Sequence, residues 1–226
     1  MTFSILTYDQ KTGTLGAAAA TGSLCVGGWV LRGNLTSGLV ASQGTAPSTL
    51  WRDEVLAAMG QGTSAENAVK SVTEPDQGRA HRQMLALDTQ GKSAGFTGTD
   101  SVRWAGHVAE DNLACAGNMI AGPDVLDALS ETFSDTDGAM ADRLLAALFA
   151  AQRAGGDSRG LQSAALLVLS PEAPPLDLRI DYHDAPLTAL EALLTRARSR
   201  PYADWLHEVP VQTDRMRAPK VPVDPQ

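Results

Sequence analysis

The order of its hydropathy runs constrains this chain more than any single residue. Residues 3 to 8 and 14 to 21 are β-like and are joined by Asp9-Gln10-Lys11-Thr12-Gly13, a polar turn closing on glycine that favours a hairpin. Residues 24 to 32 and 37 to 43 read as a second strand pair, linked across Gly33-Asn34. A helix is expected from Pro47 to Met59, stopped at Gly60, and the capping-box match Thr63-Ser64-Ala65-Glu66 predicts a second over 64 to 72. Four more strands follow, near 83 to 89, 92 to 97, 104 to 109 and 112 to 116, with bends at Gly91 and Gly98. Helices return in a pair, from Pro123 to Phe133 and over 138 to 153, where Met140, Leu144, Leu145, Leu148 and Phe149 recur at spacings of three and four. Strands at 164 to 169 and 177 to 182 precede a helix over 186 to 198, with Asp184 as its N-cap and Pro186 at its first position. Strands in adjacent pairs, alternating with paired helices, suit an α+β fold of two antiparallel sheets between helical layers, not a parallel βαβ sheet. Ile5, Val26, Val40, Leu85, Leu144 and Leu167 are the expected core.

Length and hydrophobic content, 226 residues at 43%, are enough for one well-buried core, so residues 1 to 207 read as one domain and residues 208 to 226 as a loosely attached, Pro-rich polar tail. A net charge of -8 leaves no basic field to neutralise phosphates, which argues against nucleic acid and anionic membrane surfaces as partners. The start has no charged region leading into an apolar one, and no uninterrupted apolar run reaches about 20 residues, so a soluble, cytoplasmic protein is expected. Cys25 and Cys115 sit in apolar, strand-like stretches and read as small hydrophobes, not as a disulfide. The four histidines lack zinc-motif spacing, and the glycines form neither a phosphate-binding loop nor a dinucleotide fingerprint; no metal and no cofactor are expected.

Thr2 is the residue with the most chemical potential. Removal of Met1 is expected before so small a second residue, and it would leave a hydroxyl and a free α-amine on one carbon. That amine, with an ordinary pKa of roughly 7.7 to 8, is partly neutral at physiological pH and can serve the hydroxyl as its base. Polar clusters at predicted element ends offer helpers: Asp76 to Arg82, Gly117-Asn118, and Asp157 to Ser163. The last is the densest; it also fits an ordinary loop whose Asp and Ser satisfy nearby backbone groups. His81 has no serine on a G-x-S-x-G elbow to serve, which argues against a conventional triad.

Taken together, Thr2-Phe3-Ser4-Ile5, Gly78-Arg79-Ala80-His81-Arg82-Gln83, Phe96-Thr97-Gly98, Trp104-Ala105-Gly106-His107, Gly117-Asn118, Ala121-Gly122-Pro123 and Gly155-Gly156-Asp157-Ser158-Arg159-Gly160-Leu161-Gln162-Ser163 resemble the bacterial "domain of unknown function 1028" family, in order, from Thr2 to about Leu194. The resemblance implies an N-terminal-nucleophile (Ntn) hydrolase-like fold, a four-layer αββα sandwich whose nucleophile is the first residue of the mature chain. It implies an amidohydrolase acting on a small amide or peptide-like C–N bond. Thr2 would be the nucleophile and Asn118 the oxyanion donor, with Asp157 and Ser163 orienting the amine. His81, Arg82, Arg159 and Gln162 would meet the substrate, and a homodimer is expected. Two departures from the family pattern matter: Thr21-Gly22 stands where Ser-Arg is expected, and Ala116 where Gln is. The lost arginine could have lowered the amine's pKa or held a substrate carboxylate. Its loss keeps open an inactive Ntn-fold protein that binds a small ligand or serves in an assembly.

Overall fold

The structure is a computed structural model, describing residues 2–102, 104–156 and 159–219. Strands β1 (Thr2–Asp9) and β2 (Thr14–Thr21) form the expected hairpin, closed where the Asp9 carboxylate accepts from the Lys11 N–H and the Thr12 hydroxyl. Both lie inside a six-stranded antiparallel sheet, with β9 (Ser163–Ser170) and β10 (Ala173–Ile180) beyond β2, and β8 (Leu113–Asn118) and β7 (Ala105–Glu110) beyond β1. A four-stranded antiparallel sheet, ordered β3 (Leu31–Asn34), β4 (Gly38–Gly44), β5 (Arg82–Leu87), β6 (Ser93–Thr97), packs against it.

Three apolar layers follow from the period-two alternation of these strands. Even positions of β1 face the other sheet, so Leu6 meets Leu39 and Leu85 between the sheets; odd positions such as Phe3 and Ile5 face helices α4 (Asp124–Asp135), α5 (Met140–Arg153) and α6 (Pro186–Ala197). Helices α2 (Thr49–Gly60) and α3 (Ala65–Thr73) cover the outer face of the smaller sheet through Trp51, Val55 and Val69. The result is a four-layer αββα sandwich, the architecture that the family resemblance implied. β2 runs through its centre as Gly16-Ala17-Ala18-Ala19-Ala20, and its small side chains let layers on both faces close in; a Cβ on Gly16 would come within 2.7 Å of Met140 Sδ. All six expected core residues are buried. Leu144, fully enclosed on α5, tests the helix–sheet layer: Leu144→Ala should cost about 3 kcal/mol, read as a lower urea midpoint with unchanged slope.

Departures from the expected elements have local causes. The strand expected over 24 to 32 is interrupted by one helical turn, α1 (Val26–Trp29), entered through Cys25 at φ 60°. Gly27-Gly28 has little to gain from an extended ladder, and the buried Ser163 hydroxyl takes the Val26 N–H. The next turn falls at residues 35 to 37 and not at Gly33-Asn34, because the Asn34 carboxamide oxygen accepts from both the Thr36 and Ser37 N–H groups. Gly38 then takes φ 109° where a Cβ would lie 2.1 Å from the Leu87 carbonyl oxygen, so only glycine fits. The N-cap of α3 is Ser64 instead of Thr63, its hydroxyl accepting from the Asn67 N–H, and Ala185 instead of Asp184 precedes α6. A short helix, α7 (Tyr202–Leu206), was not foreseen. Part of the polar tail lies among the described residues, where Val211 is buried and Thr213 donates its N–H to Pro171. No helix among the described residues is long and apolar enough to cross a membrane.

Candidate active site

Strand register places four of the chemically interesting side chains in one row. Thr2 opens β1 directly opposite Thr21 on one side and Asn118 on the other, and Thr21 in turn lies opposite Ser163. Directly opposed residues share a face of the sheet, and Ser4 and Leu6 show which face this is: it looks at the four-stranded sheet. Thr2 is 8% exposed, and its hydroxyl donates to Thr21 Oγ1 at 3.1 Å.

Two glutamines from the opposing sheet complete the site, and neither was singled out from sequence. Gln43, at the end of β4, accepts from the Ser4 hydroxyl at 2.8 Å, and its amide nitrogen reaches the Thr2 carbonyl at 3.3 Å and Gln83 Oε1 at 2.6 Å. Gln83 Oε1 also accepts from Asn118 Nδ2 at 3.2 Å. On its other side, Gln83 Nε2 shares its two N–H groups among Thr97 Oγ1, the Gly106 carbonyl and the Gly117 carbonyl, all within 3.0 Å. Thr97 Oγ1 also lies within hydrogen-bond distance of His107 Nδ1, at 2.8 Å. Loss of solvent around the ring pushes the His107 pKa below the usual imidazole value, which favours the neutral ring. The network Ser4–Gln43–Gln83–Asn118 thus ties the two sheets together beside Thr2. Its signal in the sequence was faint: single amides or hydroxyls at inward positions of otherwise apolar strands.

The other expected site residues are dispersed. Ser163 belongs to the row, but its hydroxyl donates to the Ser23 carbonyl at 2.7 Å while accepting from Val26, so it anchors the turn into α1. Gln162 is exposed, and its backbone N–H bonds the Thr21 carbonyl at 2.8 Å. Arg159 is exposed in the loop before β9. Asp157 and Met1 lie outside the described residues. His81 is exposed, 3.7 Å from Asp100. Arg82 sits next to Gln83 on β5 but on the opposite face, over the Trp51 ring, with its Nε on Asp76 at 2.8 Å and an Nη1 on the Ala46 carbonyl. These bonds hold the loop before β5 instead of facing Thr2.

Asp76 gives that loop a pH signature. Burial works against its charge, but the Gly78 N–H at 2.6 Å and the Arg82 guanidinium outweigh this and hold the carboxyl below the usual carboxylate range. A pKa lower in the folded than in the unfolded chain adds stability above the unfolded value, roughly 3.9, and that stability is lost as pH falls through the folded value. Acid unfolding curves of Asp76→Asn should therefore lack part of the wild-type pH dependence below about pH 4; superimposable curves would show that the pair adds nothing. Cys115, buried on β8 against the helices, has its thiol pKa pushed far up by burial and is no nucleophile. Among the described residues, no group of His, Cys, Asp and Glu side chains could hold a metal ion.

A crystal structure of protein SPO2555 from Silicibacter pomeroyi, described as DUF1028, superposes with a TM-score of 0.93 at 51% identity, covering 97% of this chain and 96% of that one. Eukaryotic HslV from Trypanosoma brucei gives a TM-score of 0.46 at 12% identity, over 74% of this chain and 99% of that one. Nothing among curated proteins matches the chain. Residues 2–190 match the family of unknown function DUF1028, and on the strength of that match the chain belongs to this family.

Proposed function

We propose that the protein is an N-terminal-nucleophile amidohydrolase, active once Met1 is removed and cleaving a small amide or peptide-like C–N bond. The observation that supports this most is the position of Thr2: first residue of an interior strand, on the inter-sheet face, hydroxyl on Thr21, flanked by the Asn118 side-chain amide. Thr2 Oγ1 attacks the substrate carbonyl, and the α-amine takes its proton, directly or through a water. The tetrahedral oxyanion requires donors already in place. Asn118 spends one amide N–H on Gln83, and its second is the donor assigned here. Collapse of the intermediate expels the amine, leaves an ester on Thr2, and water then releases the acid and regenerates the hydroxyl.

One observation favours a second reading, a non-catalytic protein that binds a small polar ligand in the same place. Among the described residues, the side chains bonded around Thr2, those of Thr21, Ser4, Gln43, Gln83 and Asn118, are uncharged, and such groups do not lower an amine's pKa as a cation would. Intact-mass measurement followed by a panel of amides, ureides and short peptides separates the two. The hydrolase reading expects loss of Met1 and an acyl adduct on Thr2 with at least one substrate. Retained Met1, or ligand binding without any turnover, would support the second reading.

A further inference from the structure

The six-stranded sheet is wider than the four-stranded sheet beneath it. β10 runs past the edge strand β3, and while Leu176, Leu178 and Ile180 pack on the helices, the alternate residues Pro175, Asp177 and Arg179 stay exposed on the inner face. A cleft of about 350 Å³ opens there, with Leu31, Leu167 and Leu169 as its apolar wall and Arg32, Asp177 and Arg179 at its polar side. That volume is in the range of sites for small ligands. None of its lining residues belongs to the Thr2 row.

Arginines gather at this cleft in a chain whose net charge is -8. Arg179 is held by both oxygens of Asp177, at 2.8 and 2.7 Å. Arg52, on α2 nearby, is spent on Asp53 and on the carbonyls of Gly28 and Trp29. Arg32 has only the carbonyl of its own neighbour Leu31, at 3.2 Å, and no ion pair among the described residues. Burial and then repulsion from Arg52 and Arg179 lower its pKa, with Asp53 and Asp177 offsetting part of this. A cation so placed gains from an anion, and a guanidinium fork matches a carboxylate with two parallel hydrogen bonds. Among the described residues Arg32 is the cleft's arginine without an ion pair, and Asp177 stands in the wall with Asp181 also acting on Arg179, which disfavours a dianion; the leucines favour a hydrocarbon body.

We propose that this cleft binds a small aliphatic monocarboxylate, its carboxylate on Arg32 and its hydrocarbon part against Leu31, Leu167 and Leu169, as a site separate from Thr2. Titrating the full chain with 4-methylpentanoate, followed by calorimetry or NMR shifts, tests this. Saturable binding is expected, weakened at least about tenfold in Arg32→Gln and for 4-methylpentanamide, and unchanged in Thr2→Ala. Arg32 is a partly exposed edge residue, so Arg32→Gln should fold, which thermal melting checks. Arg32→Lys provides a second reading: charge without the fork should leave intermediate affinity. No saturable binding, equal affinity in Arg32→Gln, equal affinity for the amide, or inorganic phosphate binding as tightly as the acid would each overturn the proposal. Loss of binding in Thr2→Ala would place the acid at the Thr2 row instead and overturn it as well.

Discussion

Thr2→Ala is expected to abolish turnover of any amide the wild-type protein hydrolyses, by a factor on the order of 10³ or more, because the atom that forms the acyl ester is gone. Its cost to stability should be small by comparison. The substitution removes one hydroxyl and one methyl at a strand end, together with the hydrogen bond from Thr2 to Thr21, a loss of about 1 kcal/mol. Thr2→Ser keeps hydroxyl and amine together and should retain activity. Acetylating the α-amine removes the base while sparing the hydroxyl, and should silence the protein as completely as Thr2→Ala. For the unmodified protein, the rate should rise with pH through the amine's pKa, ordinarily about 7.7 to 8, because only the neutral amine accepts the proton. Wild-type turnover in Thr2→Ala would end the N-terminal-nucleophile reading. A purely structural Thr2 predicts a different pattern, with ligand binding indifferent to acetylation.

Gln83→Ala is expected to be among the most destabilising substitutions outside the apolar core, at about 3 kcal/mol. Gln83 is fully buried and serves Gln43, Asn118, Thr97 and the Gly106 and Gly117 carbonyls at once. Truncation strands several of these groups in a low-dielectric interior, and each unsatisfied group costs more than the hydrogen bond it once made contributed. Urea unfolding gives the measurement. A double-mutant cycle with Gln43→Ala should show a coupling energy of about 1 kcal/mol or more, since the two amides bond each other at 2.6 Å. Additive losses would mean that the bond between these two neighbours in the four-stranded sheet contributes nothing beyond what each amide makes separately with the six-stranded sheet. If the site is catalytic, the same substitution should also slow turnover by loosening Asn118.

Alternation and turn chemistry act over a few residues, and to that extent the fold was legible in the sequence. The Asp9–Gly13 hairpin, the paired helices and the inward faces of Ile5, Val40, Leu85 and Leu144 follow from spacing, because one face of each element must leave water whatever its partner is. Glycine pairs and cap choices were read less well. Whether Val26–Trp29 is strand or helical turn depends on Ser163, 137 residues away, whose hydroxyl takes the Val26 N–H. A helix N-cap moved by one residue for a similar reason, since Asp88 from the loop after β5 also accepts from the Ala65 N–H.

Local sequence determined the αββα layering and the position of Thr2 at the head of an apolar strand. Tertiary structure alone decided what stands around Thr2. Thr21, Asn118 and Ser163 fall into its row through antiparallel register, which pairs Thr2 with Asn118 and Thr21 with Ser163 from distant parts of the chain. Gln43 and Gln83 arrive from the second sheet only when the two sheets stack, while Arg82, one residue from Gln83, is turned to the other face by the same pleat. A polar residue carries no mark in sequence of which partner will desolvate it. Hydrophobic burial is non-directional and can be read from pattern; hydrogen bonds across a stacked interface require positions that only the folded chain supplies.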